Sequence, residues 1–166
     1  SAVMAIAPHG RGLFSANRAL RPEGAPLRDL WQWCTTVREH RGDSHVAALA
    51  ALGINGLEAT VLLAIEQGID LEMFEESRGW HHDHMSGTVE RLVNIGLLES
   101  RDRLSAAGRT LRVEVEAMTD RQAFAVVSRL AHEYEAVLAV LESEAGRIRE
   151  QQEIPFPNPM GLDKPT

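Results

Sequence analysis

Apolar residues recur at helical spacing in the middle of the chain, between Gly79 and Gly108. Four of them fall at positions i, i+4, i+7 and i+8, namely Met85, Val89, Leu92 and Val93. This spacing places the four side chains on one face of a helix. Gly96 follows at the position where a residue in the left-handed region ends a helix at least cost. The pattern predicts an amphipathic helix that has one buried face and ends before Gly96.

The residues after Gly96 predict a short ribbon followed by another helix. Leu97–Ser100 is extended in character, Arg101–Arg103 is a polar turn, and Leu104 allows a short return strand. Ser105 then suits a helix N-cap, because its hydroxyl can accept a hydrogen bond from a free amide of the next turn. Helix, two-stranded ribbon and capped helix, in this order, predict the second half of a winged helix-turn-helix.

Apolar periodicity predicts further helices on both sides of this stretch. They cover Pro26–Arg41, His45–Leu52, Leu57–Gln67, Leu71–Ser77 after an Asp70 cap, Ala106–Met118, and a long helix from Asp120 to Ile148. Gly42 is predicted to end the first of them, and Asp43 or Ser44 to cap the second. Thr119 and Gln122 have capping-box spacing, which predicts a new helix start at that point.

Two of these helices are assigned to the core. Leu57–Gln67 is apolar on most sides, which indicates a central position. Pro26–Arg41 has an inner stripe formed by Leu27, Leu30, Trp31, Cys34 and Val37. We therefore expect Trp31 in the core, whereas Trp33 lies off the stripe and suits a cleft or interface. The long final helix exceeds the size of a small domain and is expected to pack on a partner chain.

The predicted fold class is all-α with a small β-wing, as a winged helix-turn-helix with a long C-terminal helix. Residues 1–24 are expected to be a loosely ordered N-terminal arm. Residues 25–153 then form the winged-helix domain with its C-terminal dimerisation-type helix. Residues 154–166 are rich in proline and are expected to be a flexible tail.

Composition indicates a globular protein outside the membrane. Apolar residues make up 44% of the 166 residues, and no apolar run approaches the roughly 20 residues that cross a bilayer. The start, Ser1–Ala7, lacks the basic region of a signal peptide. Cys34 is the single cysteine, which excludes an internal disulfide and fits a reducing compartment. We therefore expect a cytoplasmic location.

The net charge of −7 argues against a nucleic-acid binder as a whole, but its distribution is uneven. The segment from Arg78 to Arg112 has six arginines and four acidic residues, a net charge of +2, which leaves −9 for the rest of the chain. This asymmetry fits either a DNA-facing edge on an acidic body or ordinary variation of surface charge.

The central motif resembles that of MarR-type winged-helix regulators. Val89–Leu92, Gly96–Leu98 and Leu104–Gly108 match the helix end, the wing and the next helix start of that family. Over about residues 10–150, the chain is also similar to an uncharacterised actinobacterial, SalK-like helix-turn-helix family. In that family the matching stretch is the second half of a longer chain, so the resemblance implies that this sequence is part of a two-part protein.

The MarR-type resemblance implies that the outward face of the Asp83–Ile95 helix meets double-stranded DNA. On that face lie His84, Ser86, Gly87 and Glu90. Glu90 would be repelled by phosphate, and the Arg101–Arg103 tip is too short to enter a minor groove deeply. The predicted DNA-binding residues are His84, Ser86, Arg91, Arg101 and Arg103, with the three arginines on phosphates.

A second candidate patch surrounds the predicted turn at Gly42. Its chemistry-bearing residues are Arg38, His40, Asp43 and His45. These side chains suit helix capping and ion pairs, a ligand site, or acid–base chemistry in which Asp43 orients a histidine. We favour the structural roles.

Other candidate chemistry is weaker. His81 and His84 lie at i, i+3 and could share a metal ion with a third ligand, but we interpret them as part of an exposed helix terminus. Cys34 lies on the inner stripe without an activating base. No metal site, cofactor or catalytic residue is predicted, and an enzyme is the less favoured class.

The leading hypothesis is a DNA-binding transcriptional regulator, a homodimer that responds to a small-molecule effector. The alternative is a ligand-binding or tailoring-enzyme domain that does not bind DNA and uses Arg38, His40, Asp43 and His45. A third option is an interaction module that presents the acidic long helix.

Overall fold

The computed structural model describes residues 5–20, 23–130, 132–152 and 154. Its helices are α1 (Gly12–Ala19), α2 (Pro26–Ala51), α3 (Gly56–Gln67), α4 (Leu71–Arg78), α5 (His82–Asn94), α6 (Ala106–Leu130) and α7 (Tyr134–Glu150), and its strands are β1 (Leu98–Ser100) and β2 (Arg103–Leu104). The chain divides into a first unit, Ser1–Gly53 with Glu114–Ala136, and a second unit, Ile54–Val113 with Val137–Thr166. The described residues are mostly helical with one small sheet, as predicted.

The core of the second unit is built by α3, α4, α5 and the two strands. Its buried members are Val61, Leu62, Ala64, Phe74, Met85, Val89, Leu92, Leu98 and Leu104. The predicted stripe of α5 is confirmed, since Met85, Val89 and Leu92 are all buried. The central position of α3 is confirmed in the same cluster. Strands β1 and β2 pair antiparallel, with Leu98 opposite Leu104.

Local signals at helix ends in the second unit are confirmed. The Asp70 carboxylate accepts a hydrogen bond from the Glu72 amide at 3.0 Å and so caps α4. The Ser105 hydroxyl accepts from the Gly108 amide at 3.0 Å at the start of α6. Gly96 has a φ of +77°, the left-handed conformation expected after α5. Each signal depends on atoms only a few residues apart, which is why the sequence predicts it.

The predicted helix break at Gly42 is wrong. Helix α2 continues through Gly42 as one helix, although a glycine inside a helix costs about 0.5–1 kcal/mol. Next to it, the Arg41 guanidinium donates to Glu116 at 2.8 Å and to Asp120 at 3.1 Å, both on α6. Since these pairs are exposed and contribute little, the burial of His40 and Ser44 on either side of Gly42 is the main contribution that outweighs the local preference of glycine.

The buried face of α2 also differs from the prediction. Leu27 and Trp31 are 74% exposed, so Trp31 is not a core residue. The helix instead buries Thr36, His40, Ser44, Ala48 and Leu49. Ser44 is not an N-cap; its hydroxyl donates to the His40 carbonyl at 2.8 Å inside the helix. Periodicity detects an apolar stripe, but it does not say which face the neighbouring helices cover.

The predicted helix start at Thr119 is wrong as well. Helix α6 runs through Thr119, which is fully buried, and the Thr119 hydroxyl donates to the Val115 carbonyl at 2.8 Å. The single helix expected from Asp120 to Ile148 is instead interrupted between α6 and α7. None of the described side chains of α7 is buried, so tertiary packing does not stabilise a continuous rod there.

Residues 5–20 are more closely packed than the loosely ordered arm expected for residues 1–24. Phe14 of α1 is fully buried beside Ile6, Val126 and the half-buried Val37. Its amide donates to the Asp43 carboxylate at 2.9 Å. Except for Ile154, the predicted flexible tail lies outside the described residues.

Within the part of the chain that the structure describes, no single helix is long and apolar enough to cross a membrane. The successive helices α2 and α3 meet that criterion only when counted together, by length and composition alone.

Candidate functional site

Helix α5 presents one face to solvent and buries the other. On the exposed side lie His84, Gly87, Glu90 and Arg91, with Ser86 half-buried. The short connection between α4 and α5 consists of Gly79, Trp80 and His81, all exposed. Helix α4, the short connection and α5 are followed by the ribbon of β1 and β2. The resulting surface consists of the exposed face of α5 and the tip of the ribbon.

The two arginines of the ribbon are paired with exposed carboxylates. The Arg101 guanidinium lies 3.3 Å from the Glu90 carboxylate, and that of Arg103 lies 2.8 Å from the Glu99 carboxylate. Pairs between exposed side chains contribute only about 0–1 kcal/mol. Both arginines can therefore exchange a carboxylate for a phosphate at little cost.

Arg91 has a different partner, which the sequence analysis missed. Its Nε lies 2.6 Å from Glu58 Oε1, and the Glu58 side chain is only 2% exposed. The other oxygen, Oε2, accepts from the Asn55 amide at 2.9 Å, while the Asn55 side chain accepts from the Glu58 amide. The spacing of Asn55 and Glu58 is that of a capping box, a signal that would have located this carboxylate at the start of α3.

The histidines at the start of α5 do not form one cluster. The His82 imidazole pairs with Glu75 of α4 at 3.0 Å. The rings of His81 and His84 meet edge to face, with centroids 5.8 Å apart. Among the residues that the structure describes, no three histidine, cysteine or acidic side chains are grouped to hold a metal ion.

The second candidate patch is dispersed by the continuous helix. Arg38 is exposed and pairs with Glu39 at 2.6 Å. His40 and Asp43 both contact Phe14 of α1. The His45 imidazole instead lies 3.2 Å from the Thr119 hydroxyl on α6. The turn predicted at Gly42 is replaced by continuous helix. His40 and Asp43 meet at Phe14, whereas Arg38 and His45 contact other residues.

His40 is nevertheless an unusual residue. It is fully buried, and neither ring nitrogen has a hydrogen-bond partner among the residues that the structure describes. The Phe14 ring meets it edge on at a centroid distance of 4.9 Å. Burial, and then the positive charge of Arg11, lower the pKa of His40 below its usual value, against an opposite effect of Asp43. The buried imidazole is therefore held neutral.

We expect acid to destabilise the first unit through His40. Because the pKa is lower in the folded state than in the unfolded chain, where it is about 6.5, the unfolded state binds the proton first as the pH falls. The contribution of His40 to stability is complete above about pH 6.5. Below that pH it decreases, by no more than about 1.4 kcal/mol per pH unit.

Urea denaturation between about pH 7.5 and pH 5, compared with His40→Leu, measures this contribution. The apolar variant removes both unpaired nitrogens and should show a shallower loss of stability. Equal losses in the two proteins would exclude His40 as the source.

The chain matches the model of a helix-turn-helix family over residues 1–155. Since this is most of its length, the chain belongs to that family, in agreement with the helical fold and small sheet. No curated protein and no solved structure shows a significant similarity to it.

Proposed function

We propose that this protein is a DNA-binding transcriptional regulator of the MarR-like winged type, related to the SalK-like actinobacterial proteins. The observation that supports it most is that α5 buries one face and leaves the other exposed beside the ribbon with Arg101 and Arg103. Family membership supports DNA binding at the level of the class. In this proposal α5 lies in the major groove, as the second helix of a helix-turn-helix does.

The proposed contacts divide into two kinds. Arg91, Arg101 and Arg103 bind phosphates, which position the protein without reading sequence. His84 and Ser86 face the base edges. Gly87 has no side chain, and the space around it is open. The DNA backbone can therefore approach α5 at Gly87, whereas the carboxylate of Glu90 is repelled by phosphate. We therefore expect modest affinity with a strong dependence on salt.

The proposal includes a homodimer formed through α7. This helix has no buried side chain among those described, although it carries apolar residues. Its exposed large apolar residues are Tyr134, Val137, Val140 and Ile148. A second copy of the same helix would cover them, as expected for an unpartnered amphipathic helix. The response to a small-molecule effector stays a prediction.

Binding of a mixed-sequence DNA duplex, followed by fluorescence anisotropy between about 50 and 200 mM salt, tests the proposal. We expect binding to weaken steeply with salt, at two chains per site. In the double variant Arg101→Ala/Arg103→Ala, each chain loses two phosphate contacts, so the bound dimer loses four. The slope of log K against log salt should then fall by about 3.6, since each contact contributes about 0.9.

The matched control is Arg28→Ala/Arg38→Ala. These arginines of α2 are also exposed and paired with glutamates, at 2.6 Å in each case, so the change in net charge is the same. The control should keep the wild-type slope. An equal loss in both double variants would indicate a general effect of charge, and no binding by the wild-type protein at low salt would contradict the proposed function.

A further inference from the structure

The carboxylate of Glu58 is buried in the second unit and has a defined partner at each oxygen. Oε2 accepts from the Asn55 amide and completes the capping box of α3. Oε1 lies 2.6 Å from Arg91 Nε. A buried carboxylate without a cationic partner costs several kcal/mol, so this pair persists in the folded protein. It fixes the guanidinium of one α5 side chain to the start of α3.

Within the described parts of the chain, Arg91 is held by one end of its guanidinium only. Nε supplies one of the five N–H donors of the guanidinium, and the other four are on the two Nη atoms. The Arg91 side chain is 60% exposed although its partner is almost fully buried, which places the free end toward solvent. Arg112 provides a contrast, because it directs Nε and Nη2 to Glu66 and is only 13% exposed.

We propose that Glu58 is a positioning residue that orients Arg91 so that its Nη groups bind a phosphate of the DNA backbone. This inference rests on the proposed function. A free arginine loses side-chain freedom when it binds, whereas a guanidinium already fixed through Nε loses less. Glu58 itself does not touch DNA. It acts by presenting a forked donor pair that matches the geometry of phosphate oxygens.

Glu58→Gln separates positioning from simple electrostatics, because the two predict opposite signs. Glutamine keeps the side-chain length and can still form the capping box, but it lacks the charge that holds Arg91. Removing a negative charge near DNA should by itself strengthen binding. Loss of positioning should weaken it, on the order of three- to tenfold, from the ordering cost of one long side chain.

The control is Glu99→Gln, which removes the exposed carboxylate paired with Arg103. It should bind the duplex as tightly as the wild type or more tightly. In an Arg91→Ala background, Glu58→Gln should not weaken binding any further, because the side chain that Glu58 orients is absent and only the loss of a negative charge remains. A merely structural role of Glu58 would weaken binding in both backgrounds.

If Glu58→Gln does not fold, Arg91→Lys replaces it in the binding measurement. Lysine keeps the positive charge and can still form an ion pair with Glu58. Lysine lacks the fixed fork, so we expect a similar three- to tenfold loss of affinity. If the wild type binds DNA and either Arg91→Lys or Glu58→Gln binds it with the same affinity, the positioning role is wrong. The proposed DNA-binding function would not be affected by that result. If the wild-type protein does not bind DNA, the proposed function fails and the positioning role fails with it.

Discussion

Gly108→Ala is expected to destabilise the second unit by about 3 kcal/mol or more, the upper end of the effect of overpacking. A Cβ atom at this position would lie 2.1 Å from the Leu97 carbonyl oxygen and 3.2 Å from its carbon. The obstacle is backbone, and the same oxygen accepts a hydrogen bond from the Ser105 amide at 3.1 Å. The clash therefore cannot be relieved by rotating a side chain, and the first turn of α6 must move away from the ribbon.

Urea denaturation followed by circular dichroism measures this effect. Gly146→Ala is the matched control, because it lies inside α7 and a Cβ there would meet nothing within 4 Å. It should stabilise the protein slightly, by up to about 1 kcal/mol, through the higher helix propensity of alanine. If Gly108→Ala were as stable as Gly146→Ala, the close approach of Gly108 to Leu97 would be wrong.

Phe14→Ala is expected to destabilise the first unit by about 3–5 kcal/mol, as for other fully buried aromatic residues. The Phe14 ring is 0% exposed and packs edge on against His40. Its removal leaves a cavity and also opens the buried imidazole to water. The same denaturation experiment gives the free energy of unfolding.

Leu13→Ala is the control for Phe14, since Leu13 is the neighbouring residue of α1 and is 56% exposed. Its effect should stay within about 0.5 kcal/mol. Equal effects of the two substitutions would indicate that α1 is a loosely attached arm after all.

The elements that the sequence predicted well are those fixed by nearby residues. The stripe of α5, the Asp70 and Ser105 caps and the left-handed Gly96 all involve atoms within one or two helical turns. Gly108 belongs to the same motif, and the structure adds its reason, the approach of the Leu97 backbone. Local patterning therefore defined the helix–ribbon–helix order.

The elements that were predicted wrongly depend on contacts between residues far apart in sequence. Local rules predict a helix end at Gly42 and a helix start at Thr119, yet both residues lie inside long helices. Arg41 beside Gly42 binds Glu116, 75 residues away, and Thr119 contacts His45, 74 residues away. A rule that considers a window of residues cannot include such partners.

The exposure of the three candidate phosphate-binding arginines was predictable from the sequence, but their ion-pair partners were not. Arg91, Arg101 and Arg103 are all exposed, as the DNA hypothesis requires. The sequence did not indicate that each has a carboxylate partner, nor that the partner of Arg91 is the buried Glu58 of another helix. His40 was selected for its chemistry, but its burial depends on α1, which the sequence placed in an arm.

The division of the first unit between two distant segments has a consequence for synthesis. Arg11 bonds the Gln122 carbonyl at 3.0 Å across 111 residues, and Phe14 packs against Val126. A ribosome that adds about 5–20 residues per second needs roughly 6–22 s to make that intervening stretch. Meanwhile the core cluster of the second unit described above, from Val61 to Leu104, has been made. The first helices to be translated, α1 and α2, can pack on each other early through Phe14 and His40, but they receive the part of their core that α6 supplies only after the second unit's core has been made.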